Sequence, residues 1–408
     1  MKKYKLGEIA TVEISGVDKK IKDGEVPVKL CNFVDVYYNW AITSEMEQKF
    51  MEATARTNEI ERFRLKRGQV ALTKDSETRF DIGITTYIAD DFDDVILGYH
   101  NALITPNPEK LSGKYLNALL HTDYARTYFA NNASGSGQRY ALSIDALNNF
   151  PVPLLPLAEQ ERIGDIFSSI DQKIALNRAI NDNLEAMAKQ LYDYWFVQFD
   201  FPNEDGRPYK SSGGKMVWND KLKREIPEGW KIKTIGTFAY VKRGSTITKA
   251  QTVEGNIKVV AAATDYSFLH NEANRSAYVI TISASGANAG FINFWREPIY
   301  ASDCSTIQCK DVDETLYCYY WIRHFQDLLF TQQIGAAQPH VYPEHINKIP
   351  IVIPPQLLLD KVGKLLVQVN KQQGELAREI ESLIKQRDEL LPLLMNGQVS
   401  VNYHLSHD

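Results

Sequence analysis

PLAEQERIGDIFSSIDQKIALNRAINDNLEAMAKQLYDYWFVQF, residues 156 to 199, sets the reading of the whole chain. Ile163, Phe167, Ile170, Ile174, Leu184, Leu191 and Trp195 fall on alternating steps of four and three; Asn177, Asn181 and Ala188 complete the line. That is the a/d seam of a helix paired with another helix, narrower than the stripe a globular core requires. The helix is entered through Phe150-Pro151-Val152-Pro153-Leu154-Leu155-Pro156 and ends near Phe199, before Pro202.

A partner lies in the same chain, 199 positions on. After Ile349-Pro350-Ile351-Val352-Ile353-Pro354-Pro355 a second seam runs through Val362, Leu366, Val369, Leu376, Ile380, Leu383, Leu390 and Leu394. Gln373 and Arg387 interrupt it where the first copy has Ile174 and Ala188. Gly164 matches Gly363, and Asp171 matches Asn370. Asn177 and Asn181 correspond to Leu376 and Ile380, so the helices are related but not interchangeable. Two readings of these asparagines stand: polar positions that fix register, or tolerated divergence.

The segments in front of the helices repeat more loosely. Gly135-Ser136-Gly137-Gln138 precedes the first Pro-rich stretch and Gly335-Ala336-Ala337-Gln338 the second. Further back, the run Gln69 to Ser76 resembles Tyr278 to Ser285. The spacing predicts an α+β chain with an internal repeat, in the order module, helix, module, helix. The expected boundaries are 1–150 for the first module, 151–200 for the first helix and 201–228 for a polar Gly/Ser/Pro connector. The second module takes 229–348, the second helix 349–397, and a tail 398–408.

Within the modules, strands are expected at 26–30, 70–73, 84–88 and 95–97, then at 257–261, 277–282 and 290–294. Helices are expected at 46–54, 113–130 and 315–332, with Tyr115, Leu119, Tyr124 and Tyr128 in the core. The small polar loop 283–290 reads equally as a close approach to a phosphate backbone or as a plain hairpin turn. The closing helix starts after Pro355, carries Pro392 in its last turns and stops at Asn396-Gly397.

A length of 408 residues with 44% hydrophobic and 24% charged content describes two or three folded domains. No apolar run is long enough for a membrane helix, and no apolar stretch follows the first lysines, so a cytoplasmic protein is expected. With a net charge of -5, any phosphate binding must come from local cationic clusters. Cys31, Cys304, Cys309 and Cys318 form no CxxC pair; a zinc site from the last three with His324 fits no common spacing, and free thiols are the better reading. HExxH, GxSxG, the Walker loop and the Asn/Asp-Pro-Pro-aromatic methyltransferase tetrapeptide are all missing from the sequence. No catalytic residue and no metal ligand is therefore expected, and His340 and His345, which flank a turn, read better as ordinary surface residues.

Several stretches resemble the specificity subunit of type I restriction-modification systems, over essentially the whole chain. They are Pro153 to Ile163, Leu176-Asn177-Arg178, Asn183-Leu184-Glu185, Trp195 to Pro202, Gly206 to Lys215, Ile226 to Trp230 and Leu394 to Val399. The second helix departs at its opening, where Gln356-Leu357-Leu358-Leu359 replaces the Glu159-Gln160 pair. The resemblance implies two target-recognition domains, each reading one half of a split target in double-stranded DNA. It implies two long helices packed antiparallel, which set the gap. It also implies a chain without catalysis or cofactor of its own. Two modification subunits would bring S-adenosylmethionine for adenine N6 methylation; restriction subunits, when present, would bring ATP and magnesium. Tyr194 and Trp195, near a helix end, are candidates for meeting the modification subunit.

For DNA contact, the sequence favours Lys74, Ser76, Thr78 and Arg79 with Gln138, Arg139 and Tyr140 in the first module. In the second it favours Lys242, Arg243 and Lys249, then Ser283, Ser285 and Asn288, and Gln338, His340 and Tyr342. Cations, hydroxyls and amides near glycines suit phosphate and base-edge contacts, and a similar loop recurs in both halves. The competing reading is that each is a solvated surface residue. A helical scaffold or regulatory remnant without DNA specificity is the alternative function.

Overall fold

The computed structural model describes residues 2–135, 139–331 and 340–395. Gln138, Gln338, the stop at Asn396-Gly397 and the tail 398–408 lie outside them. By its contacts the chain divides into two units, Met1–Asn177 with the chain from Glu379, and Arg178–Arg378. The division falls inside both long helices, so each helix belongs partly to each unit rather than standing as a segment of its own.

In the first unit, β1 (Ala10–Ile14), β2 (Ala41–Ile42), β3 (Val70–Thr73), β4 (Thr85–Ile88) and β5 (Asn101–Pro106) form one sheet in the order β1-β5-β3-β4-β2. All four residues of β3 are buried, as expected of a central strand covered on both faces. A second sheet places Val26–Cys31 between Met51–Ala55 and Val95–Leu97. The expected helix at 46–54 is therefore corrected: Ser44–Lys49 is a 3-10 turn, and Met51–Ala55 is a strand completing the pairing of Val26–Cys31. Non-local pairing outweighs local helix preference there.

Helix α1 (Gly113–Leu120) ends before the expected stretch does, because Thr122 caps a separate helix, Asp123–Asn132, by accepting from the Ala125 amide. Tyr115 and Leu119 are core residues, while Tyr128 is half-buried and Tyr124 is exposed, its hydroxyl donating to the Pro151 carbonyl.

The long helix α2 (Leu157–Tyr192) enters this unit through Pro151–Pro153, an edge strand paired with Lys3–Lys5. Gln160 is fully buried: its Oε1 accepts from the Ser112 amide at 2.9 Å, and its Nε2 donates to the Lys110 and Leu155 carbonyls at 2.9 and 2.8 Å. A Cβ on Gly164 would stand 2.5 Å from the Lys114 Cβ, so glycine is what lets α2 approach α1 so closely. Phe167 is buried in the module's core, its ring 6.2 Å from that of Trp40.

The second unit repeats this topology. Strands β6 (Tyr240–Arg243), β7 (Val279–Ser283), β8 (Ile292–Trp295) and β9 (Cys304–Gln308) form a sheet in the order β6-β9-β7-β8. Ile257–Val260 lies between Phe268–His270 and Ile299–Ala301. In both units the centre of the smaller sheet has one antiparallel and one parallel neighbour. Helix α3 (Val312–Arg323) takes the place of α1, and a break at His324-Phe325 separates it from Gln326–Thr331.

The closing helix α4 (Gln356–Met395) enters through Pro350–Ile353, paired with Lys231–Thr234. Gly363 repeats the close approach, with a Cβ there 2.5 Å from the Asp313 Cβ. At the position of Gln160 stands Leu359, buried in the apolar core.

None of the expected seam residues is exposed. Ile163, Phe167, Ile174, Asn177, Val362, Leu366 and Leu394 are buried. Ile170, Asn181, Leu184, Leu191, Val369, Leu376, Ile380, Leu383 and Leu390 are half-buried. Ile163, Phe167 and Leu394 lie in the core of the first unit and Val362 and Leu366 in that of the second, each covered by a module as well as by a second helix; Ile174 and Asn177 are buried outside those cores.

In each unit the helix segments run antiparallel. Asn177 donates to Glu379 at 3.0 Å in the first, where Trp40 touches both Phe167 and the Arg387 guanidinium. In the second, Gln373 donates to Glu185 at 3.2 Å, and the Lys361 ammonium lies 5.8 Å from the Trp195 ring. The two polar interruptions thus have partners: Arg387 covers Trp40, and Gln373 also accepts from Arg296 at 2.8 Å.

Candidate nucleic-acid interface

In the first unit the candidates gather where β3 leaves the sheet. Beyond Thr73 the chain continues as a short strand, Asp75–Ser76, paired with Tyr140–Ala141, which also pairs with Ser134–Gly135. The Lys74 ammonium lies 2.6 Å from the Asp75 carboxylate, which His100 Nδ1 meets from the start of β5 at 2.5 Å. Hydrogen bonds from Lys74 and His100 outweigh the opposing effect of burial and hold the Asp75 carboxyl below its usual range. The Ser76 hydroxyl accepts from the Thr78 amide at 3.2 Å, and the exposed Arg79 guanidinium lies 5.2 Å from the Tyr140 ring centre. Arg139 is exposed next to them. A strand exit of the central sheet is a rigid base for such side chains, as a site that must hold its geometry requires.

In the second unit, Arg243 at the end of β6 is 2.6 Å from the Asp303 carboxylate, which also accepts from the Ser285 hydroxyl. The Ser285 backbone pairs with that of His340 in an isolated antiparallel bridge, and the His340 ring lies 5.8 Å from that of Tyr342. Lys242 and Tyr342 are exposed, and His340 is half-buried. Lys249 is exposed on a separate short turn, Lys249–Gln251. Asn288 closes a 3-10 turn, Gly286–Asn288, between the antiparallel strands β7 and β8, so the 283–290 loop is a hairpin turn. Ser283 is buried, and its hydroxyl donates to the Ala263 carbonyl at 3.0 Å. That puts it in the sheet interior rather than on the surface the sequence suggested.

The structure also shifts the repeat by one residue. Thr73 sits opposite Asn101, and Ser283 sits opposite Cys304. The next amides, of Lys74 and Ala284, donate to the carbonyls of His100 and Asp303 respectively. Asp75 therefore corresponds to Ser285, and Gly68 to Tyr278, both of which have positive φ (92° and 59°). The sequence match had set Gln69 against Tyr278 because Tyr278 occupies a backbone conformation that usually selects glycine. A slip of one residue exchanges the faces of a strand, which is why Asp75, His100 and Asp303 were missed.

Other sequence candidates fall elsewhere. The four cysteines are buried free thiols, and burial pushes the Cys304 thiol up to about 12. His324 faces Asp193 at 3.0 Å. Trp195, expected near a partner surface, is buried, while Tyr194 beside it is exposed. No helix of the described residues is long and apolar enough to cross a membrane.

Comparison with known proteins gives a consistent picture. The chain is 25% identical over 312 residues to the type I restriction enzyme MjaIX specificity subunit of Methanocaldococcus jannaschii, covering 71% of this chain and 69% of that protein. It is 21% identical over 406 residues to the HindI specificity subunit of Haemophilus influenzae, covering 82% and 87%. The crystal structure of the type I restriction-modification system S subunit from M. genitalium superposes with a TM-score of 0.60 at 15% identity, covering 96% and 95%, which shows a common fold. The model of the type I restriction modification DNA specificity domain matches residues 1–186 and 227–386, which is most of the chain, and the chain belongs to that family.

Proposed function

We propose that this chain is the sequence-reading subunit of a type I restriction-modification system, each module reading one half of a split target in double-stranded DNA. The observation that carries this reading is the duplicated scaffold with unequal furniture. The same strand exits recur in both units, but one displays Lys74, Arg79, Arg139 and Tyr140 and the other Arg243, Ser285, His340 and Tyr342. Equal frames with different side chains suit two different half-sites, since base edges are read by side-chain identity. The chain itself does no chemistry. Modification subunits supply S-adenosylmethionine and methylate adenine N6, and restriction subunits, when present, supply ATP and magnesium. All of this takes place in the cytoplasm.

The test is a map of N6-methyladenine in cells carrying this chain with its modification subunit, against cells lacking only this chain. A split motif with a fixed gap, lost on deletion, is expected. Identical maps, with the complex shown to form, would instead support a scaffold or regulatory remnant.

The long helices set the gap in this reading. Four residues inserted into both α2 and α4 at matching positions add about 6 Å. The methylated motif should then widen by roughly two base pairs with both half-sites unchanged. An unaltered gap in a folded, active complex would remove the spacer role.

A further inference from the structure

We propose that Asp75 and Asp303 are positioning residues for DNA reading, each restraining one cation, Lys74 in the first module and Arg243 in the second. The inference rests on the DNA-reading function proposed above. It starts from the strand register. Asp75 and Ser285 occupy the same place after the central strand, and His100 and Asp303 the same place before its neighbour. In both modules these two positions are joined through a carboxylate, yet the carboxylate changes strand: Asp75 meets His100, and Asp303 meets Ser285. In both, the same carboxylate takes a nearby cation at 2.6 Å. The side chains of Lys74 and Asp75 are 19% and 14% exposed, those of Arg243 and Asp303 37% and 29%, so neither pair is a fully solvated encounter.

A carboxylate on a surface that meets DNA repels phosphates. Its placement at the same strand exit in two divergent modules therefore requires a use. Anchored, the cation can engage only a group presented in one direction. Released, it reaches any phosphate within the length of its side chain, and phosphate contacts carry no sequence information. Asp75 and Asp303 thus trade non-specific attraction for discrimination.

The experiment uses the chain assembled with its modification subunits and compares Asp75→Asn and Asp303→Asn with wild type. Binding to the methylated motif, to single-base variants of each half-site and to unrelated duplex is measured over a range of salt. In each variant, affinity for unrelated duplex should rise, and its salt slope should steepen by about 0.9, one added phosphate contact. Discrimination should fall about tenfold in one half-site only, a different half for each variant. Adding Lys74→Met to the first variant, or Arg243→Met to the second, should cancel the non-specific gain.

Unchanged slope and discrimination in a wild-type complex that does prefer its motif would overturn the positioning role alone. Parallel losses of specific binding, non-specific binding and melting temperature would also overturn it, reducing the pairs to staples of the fold. A wild-type complex with no sequence preference would overturn the DNA-reading function and this inference together.

Discussion

Phe167→Ala should lower the stability of the first unit by about 3–5 kcal/mol, because it empties a fully buried phenylalanine site that the rest of the core cannot refill. By sequence Phe167 is one member of a helix seam. In the fold it belongs to the core that also holds Trp40, Tyr115, Phe150, Leu391 and Leu394, so the cavity opens between the module and its helix. Leu184, on the same seam but half-buried, provides the control: Leu184→Ala should cost markedly less, about 1–2 kcal/mol, since water already reaches part of that side chain. Urea unfolding of the full chain, followed by circular dichroism, reads both. Equal losses for the two variants would mean that the modules contribute nothing to the burial of the seam.

Exchanging the residues at one equivalent position of the two helices, as Gln160→Leu and Leu359→Gln, should destabilise in both directions. Leucine at 160 leaves the Ser112 amide and the Lys110 and Leu155 carbonyls without the partners the amide side chain supplies. The expected loss is about 2–4 kcal/mol, with early proteolysis near 110–112 where the loop is released. Glutamine at 359 places an amide among apolar neighbours, and about 2–3 kcal/mol is expected there too. If Gln160→Leu proved neutral, its three hydrogen bonds would be replaceable by water and the glutamine would not tie the helix to the module. At the equivalent position of the second helix, Leu359 is held by apolar packing instead.

The pairing of Gly164 with Gly363 was legible because a glycine inside a helix is costly and needs a reason. The structure supplies the reason twice, against Lys114 and Asp313. The interruptions Gln373 and Arg387 were legible only as departures from a pattern. Their partners Glu185, Arg296 and Trp40 lie far away in sequence, and no periodicity points to them. Met51–Ala55 was misread for the same reason, since its strand exists through pairing with Val26–Cys31. Arg79 and Tyr140 were both named from sequence, and the fold brings them together; Ser283 was named for its hydroxyl, and the fold turns that hydroxyl inward.

The sequence by itself determined the α+β class, the internal repeat and the presence of two long seamed helices. Those features rest on composition and periodicity, which are local and survive in a linear string. Only the tertiary structure decided where the two halves are equivalent, residue for residue, and which polar side chains meet there. Strand register depends on hydrogen bonds between distant segments. A shift of one residue, from Gln69 to Gly68 as the equivalent of Tyr278, is small in the string but exchanges the two faces of a strand. The carboxylate pairs at Asp75 and Asp303 became visible only once that register was set.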